Sequence, residues 1–205
     1  MNEIVYLIDQ AERYFEEKHY EIGTQYYMDA WLTLKEYLID EQIFKVDEIE
    51  FTNVQDREFI KKWIHEFHIY ANEEFQFKTN IFIISSMIEF FDFTNEELII
   101  KQRALCDSYY YLKEYETSDK LYENLLKKHP TIMEYYYGLA LTLYDREDYI
   151  KAINILEEGI ENSIDKQDQF VLSGFEVLLQ IYDLLDEPEN AEKTKEKMNK
   201  YKALS

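Results

Sequence analysis

The sequence predicts an all-α fold, a right-handed solenoid of about five antiparallel helix hairpins. One pattern is written twice. Leu105-Cys106, Tyr109, Tyr115, Ser118, Tyr122 and Leu125 form the first copy, and Leu139-Ala140, Leu143, Tyr149, Ala152, Leu156 and Gly159 stand 34 positions later. Glycine and proline are scarce, with four and two in 205 residues, so long helices with short turns are favoured over turn-rich architectures. Nineteen Tyr and thirteen Phe supply a core despite a charged fraction of 32%, which argues against disorder.

Taken in order, residues 3–18 carry Ile4, Leu7, Ile8, Ala11, Tyr14 and Phe15 on one helical stripe, and Tyr20, Gly23, Tyr27, Ala30 and Trp31 form a second. Their spacings match the central copies, so a looser repeat is expected over 4–37. Residues 39–56 lack a clean stripe and are expected to form an insertion loop. Phe59, Ile60, Trp63, Ile64, Phe67 and Tyr70 restore helical spacing, and 77–91 is apolar on most sides, giving a divergent hairpin over 57–91. Thr94 with Glu97, and Thr131 with Glu134 after Pro130, each read as a capping box opening a central repeat (99–132 and 133–166). A last hairpin over 172–203 is capped by Asp165 or Asp168, and Pro188 starts its second helix. All five repeats are expected to stack as a single domain over 1–205.

Small residues sit where paired helices must approach: Ala11, Cys106 and Ala140 on first helices, and Gly23, Ser118, Ala152 and Ala191 on second helices. A larger side chain there would cost about 1–3 kcal/mol by overpacking. Tyr109, Tyr115, Tyr122, Tyr136 and Tyr149 are expected to wedge neighbouring hairpins apart at the right distance.

Net charge narrows the partner classes. Forty-three acidic against 22 basic residues leave −21, the wrong sign for a polyanion, so nucleic acid is not an expected partner. An acidic surface favours solubility and steers cationic partners. One cysteine excludes an intrachain disulfide and any multi-cysteine zinc site. The longest apolar run, 81–91, is far short of the about 20 residues needed to cross a bilayer, and the acidic first residues do not resemble a basic signal peptide. The expectation is a cytoplasmic protein without membrane contact.

No catalytic set is expected from the sequence. The glycines are isolated, so no phosphate-cradling loop is present. His65 and His68 are three apart, whereas a helical zinc pair needs four and a third ligand; they read as surface histidines. Cys106 has no histidine nearby in sequence and occupies a position that requires a small buried group. No metal, cofactor or catalytic residue is therefore expected.

The spacings at Leu105-Cys106, Tyr109, Tyr115, Ser118, Tyr122 and Pro130, and at Leu139-Ala140, Leu143, Tyr149, Ala152, Leu156 and Gly159, resemble the tetratricopeptide repeat family. The second copy lacks the closing proline, and Gly159 stands where that family has alanine, a change expected to loosen packing. The layout is also similar to uncharacterised bacterial repeat proteins that often end in a zinc-binding SEC-C module; its cysteine cluster is absent here, so no metal-linked role carries over.

What remains for a partner is the side of the first helices turned about 100° from the packing stripe. Arg103, Asp107, Tyr110 and Tyr111, with Tyr137, Leu141 and Tyr144, are expected to line a concave groove. Tyrosines give rigid contact area and the charges give orientation. The resulting expectation is a non-enzymatic interaction module binding a peptide or helix, with cationic partners favoured. The alternative is a self-associating scaffold, a homodimer built on the 77–91 helix or the first repeat. A regulatory phosphatase-like enzyme ranks last, because only Arg103, Asp107 and Asp145 are on offer.

Overall fold

The structure is a computed structural model that describes residues 2–51, 53–67, 74–163 and 168–203. Among these the regular elements are ten α-helices and one short 3-10 turn, with no strand. The fold is all-α, built from helical hairpins. The chain divides into two compact units, Met1–Tyr115 and Glu116–Ser205.

The first unit opens with α1 (Asn2–Glu16) and α2 (Tyr20–Asp40), which pack along their length. Gly23 allows the approach: a Cβ there would lie 2.9 Å from the Phe15 ring and 3.0 Å from the Ala11 carbonyl. α2 outlasts the expected repeat boundary and runs to Asp40. The following segment is short, because α3 (Val54–Glu66) begins earlier than the apolar spacing suggests. Asn53 starts it by accepting a hydrogen bond from the Gln55 amide at 2.9 Å. Between the two helices, Val46 in the 3-10 turn, Ile49 and Phe51 are buried in the core of the unit. The chain is pinned further by the Asp92 amide donating to the Phe44 carbonyl at 2.9 Å and by Lys61 Nζ donating to Asp47 O at 2.8 Å. The 39–56 stretch therefore contributes core residues as well as connecting helices.

α4 (Glu74–Phe90) packs against α2 and α5 (Asn95–Tyr111). Ile83, Ile84, Met87 and Phe91 join the core, while Phe82 stays exposed. Two polar bonds tie α4 to its neighbours: Asn80 Nδ2 donates to Ser108 Oγ at 3.1 Å, and Lys35 Nζ donates to Ser86 Oγ at 2.9 Å. The Thr94–Glu97 capping box forms, with Thr94 Oγ1 accepting from the Glu97 amide and Glu97 accepting from the Thr94 amide. Tyr70 and His68 lie outside the described residues.

The second unit contains α6 (Tyr115–Lys128, its first residue closing the first unit), α7 (Met133–Asp145), α8 (Tyr149–Asn162), α9 (Gln169–Leu184) and α10 (Pro188–Lys202). α7 pairs with α8 and α9 with α10, and α9 also packs on α7 and α8. α6 meets α7 where the Tyr122 ring lies over Gly138, leaving no room for a Cβ. A bidentate clamp from Arg146 to Asp119, at 2.8 and 3.1 Å, secures the same contact. Asp168 caps α9 by accepting from the Phe170 amide at 2.8 Å, and Pro188 is the first residue of α10. Asp165 lies outside the described residues.

Two expectations are corrected. No capping box forms at Thr131. Ile132 is the N-cap and α7 begins at Met133, so Glu134 falls one position short of the place from which it could reach back. Gly159 does not loosen the packing. A Cβ there would lie 2.6 Å from Tyr136 Cβ and 2.9 Å from Met133 Sδ, so glycine is what lets the buried Tyr136 ring lie against α8. That tyrosine is fixed at its far end too, donating to Pro130 O and accepting from Asn162 Nδ2, both at 3.1 Å.

The small residues behave as expected: Ala11, Gly23, Cys106, Ser118, Ala140, Ala152 and Ala191 are all buried. Of the wedge tyrosines, Tyr122 and Tyr136 are fully buried, whereas Tyr109, Tyr115 and Tyr149 are half-buried.

Four hairpin turns share one construction. Lys18, Lys113, Glu147 and Asp186 each adopt a left-handed conformation, with φ of 61°, 62°, 62° and 55°. In each, the next residue's amide reaches back five positions to the ending helix: His19 to Tyr14, Glu114 to Tyr109, Asp148 to Leu143 and Glu187 to Tyr182, at 2.7–3.0 Å. This is the Schellman arrangement that satisfies the last carbonyls of a helix, here without glycine.

Candidate interaction faces

The sequence-selected residues fall on α5 in the first unit and α7 in the second, and each face is described by itself. On α5, Arg103 and Asp107 are one helical turn apart and pair at 3.5 Å, both mostly buried. Tyr111 is 57% exposed, yet its ring stacks on Phe77 with centroids 4.8 Å apart and planes 14° from parallel. Tyr110 is half-buried and touches Tyr111 and Tyr115 at 5.5 and 5.4 Å. The α5 face thus presents an aromatic surface held in place from beneath.

On α7, Tyr137, Leu141 and Tyr144 are half-buried. The Tyr137 ring lies 5.5 Å from Phe170, and the Tyr144 ring 5.6 Å from Tyr149. These tyrosines are shared between packing on neighbouring helices and the surface.

One notable residue has no counterpart among those selected from sequence. Lys101 is 2% exposed near the start of α5, and its ammonium donates to Ile64 O at 2.6 Å and His65 O at 2.9 Å. It thereby satisfies carbonyls at the C-terminal end of α3, where a cation is favoured by the helix dipole. Burial pulls its pKa down to about 7, with Glu97 opposing the shift. Glu97 also holds His65 Nδ1 at 2.9 Å, so His65 has a carboxylate partner. The signal in sequence was available: Lys101 follows Leu98 and precedes Leu105 at helical spacing, a charge on an otherwise apolar stripe. Cys106 is buried, and its thiol pKa is pushed up by that burial, which suits packing rather than nucleophilic chemistry.

Among the described residues, each unit carries a sizeable concavity. A cleft of about 630 Å³ in the second unit runs over Leu126, Leu139, Leu143 and Ile155. A cavity of about 470 Å³ in the first is walled by α1, α2 and α3, with Gln76 of α4 completing the lining. Among the described residues, no three His, Cys, Asp or Glu side chains are grouped to hold a metal ion, and no helix is long and apolar enough to cross a membrane.

No family model matches the chain, and no curated protein does. Among solved structures, a protein described as MamA AMB-1 is similar in two crystal forms. One is 12% identical, with 96% of this chain and 90% of that chain covered and a TM-score of 0.45. The other is 11% identical, with 98% and 99% covered and a TM-score of 0.46.

Proposed function

We propose that this protein is a non-enzymatic interaction module that binds a peptide or helix of a protein partner, with the α5 face of the first unit and the α7 face of the second each offering a contact surface by itself. One observation carries the reading: Tyr111 combines high exposure with an immobilised ring. A rigid exposed aromatic loses little conformational entropy on binding and supplies a large contact area, the property of interface anchors. The neighbouring Arg103–Asp107 pair adds fixed charges for orientation. The chain's −21 charge favours partners of opposite sign and disfavours nucleic acid. We place its action in the cytoplasm.

Partner capture from native extract tests this reading. Replacing Tyr110, Tyr111, Tyr137 and Tyr144 by Ala is expected to abolish recovery of the partner, and undiminished recovery removes the assignment of both faces. A second reading is a homodimer through the first unit, favoured by the exposed Phe82 on α4 and Phe44 before it. Light scattering that stays at 25.1 kDa across a concentration series rejects it.

A further inference from the structure

The cavity in the first unit has a chemistry that the α5 and α7 faces do not share. Four of its walls are aromatic: Phe15 of α1, Tyr27 of α2, and Phe59 and Trp63 of α3. The Phe15 and Tyr27 rings lie 5.0 Å apart, and Tyr27 and Trp63 lie 5.9 Å apart, so the walls are continuous. Tyr27 and Trp63 are almost wholly buried and cannot swing away.

Two carboxylates share the lining, Glu12 and Glu16, which stand one turn apart on α1. Among the described residues no ion pair holds either of them. The pKa of Glu12 is raised, first by burial and then by Asp9 and Glu16, against a smaller opposing effect of Lys62. Lys62 is the cation of the lining, and Glu66 lies 3.7 Å from its ammonium. The arrangement is an excess of negative charge at the mouth of an aromatic box. An aromatic face carries negative potential, so both parts of the site favour the same occupant.

We propose that this cavity receives a lysine or arginine side chain from a basic peptide segment, with the alkyl stem and cation against the half-buried Phe15 and Phe59 over a floor made by Tyr27 and Trp63, and the charge met by Glu12 and Glu16. The volume of about 470 Å³ exceeds what one such side chain fills, leaving room for adjoining backbone. The proposal does not depend on the α5 and α7 faces, whose residues it does not use.

The test is titration of the full chain with a capped hexalysine peptide at about 100 mM salt, where long-range attraction is already screened. The Glu12→Gln/Glu16→Gln variant keeps side-chain size and removes mutual repulsion, so it is expected to stay folded by circular dichroism. Its affinity should fall about tenfold or more, and that of Phe59→Leu, which leaves net charge untouched, about threefold. A charge-matched control on α10, Glu189→Gln/Glu192→Gln, should bind as the parent does. Equal losses from the two double variants would reduce the effect to net charge and overturn the proposal. So would unchanged binding by Glu12→Gln/Glu16→Gln, and so would spermine binding at this site as tightly as the peptide, which would assign it to a free polyamine.

Discussion

Lys101 is the residue whose environment most departs from its chemistry. A buried ammonium is costly, yet two carbonyls at the end of α3 need donors, and the long side chain supplies both bonds at once. With a folded pKa of about 7 against an ordinary 10.5, the folded chain releases this proton in a window where the unfolded chain still holds it. Unfolding between those values therefore takes up a proton, and stability rises with pH. Below pH 7 both states are protonated and the burial cost is present in full. The raised thiol pKa of Cys106 acts in the opposite sense once the unfolded thiol begins to ionise, so the clean interval is pH 7 to 8. Urea unfolding should show a gain of about 1 kcal/mol across it, and the Lys101→Met variant should show a flat response. At this scale the sequence is legible where size alone decides: Cys106, Ser118, Ala140 and Ala152 are buried as their spacing implies. It was misread at Gly159, because a glycine that loosens a helix and one that admits a ring look identical until Tyr136 is placed against it.

At the scale of elements, caps were legible when the capping residue and its partner both fall in the helix register. Thr94 and Glu97 do; Thr131 and Glu134 miss by one residue, since proline geometry at Pro130 fixes the turn but not the first helical position. α3 starts before the apolar spacing shows it, because Asn53, its cap, precedes the apolar residues of the stripe. The hairpin turns were hidden for a different reason. Their sequence signal is normally glycine, and here Lys18, Lys113, Glu147 and Asp186 take the left-handed position. A side chain there costs roughly 1–2 kcal/mol, partly offset by the smaller entropy it loses on folding. Lys113→Gly and Glu147→Gly are each expected to stabilise the protein by about 0.5–1 kcal/mol, read as a higher midpoint in urea at unchanged slope.

For the whole molecule, the fold class was legible because it rests on periodicity and composition summed over many residues, which single misreadings do not disturb. The interaction surfaces were less so. The α5 and α7 residues were selected by angle from the packing stripe, and angle says nothing about Phe77 lying beneath Tyr111. The Glu12–Glu16 cavity is not legible in the sequence, because its walls come from four helices and its aromatic residues carry the same spacing as core residues. The charge of −21 acts on the molecule as a whole, since like charges brought together by folding repel. Raising sodium chloride from about 20 to 300 mM should screen this and lift the thermal midpoint by about 2–4 °C, the shift that about 1 kcal/mol gives in a chain of this size. A midpoint that falls instead would show that local pairs such as Arg146–Asp119 outweigh the general repulsion.

The burial of Cys106 has a practical consequence. It is the only cysteine of the chain, it is 1% exposed, and its thiol resists ionisation. Alkylating dyes react with thiolates, so the native thiol is silent toward them under conditions that leave the fold intact. A cysteine introduced at any exposed position becomes the sole labelling site without a cysteine-free background. A fluorophore or spin label set beside the Glu12–Glu16 cavity, or on α5, would report occupancy of that surface alone.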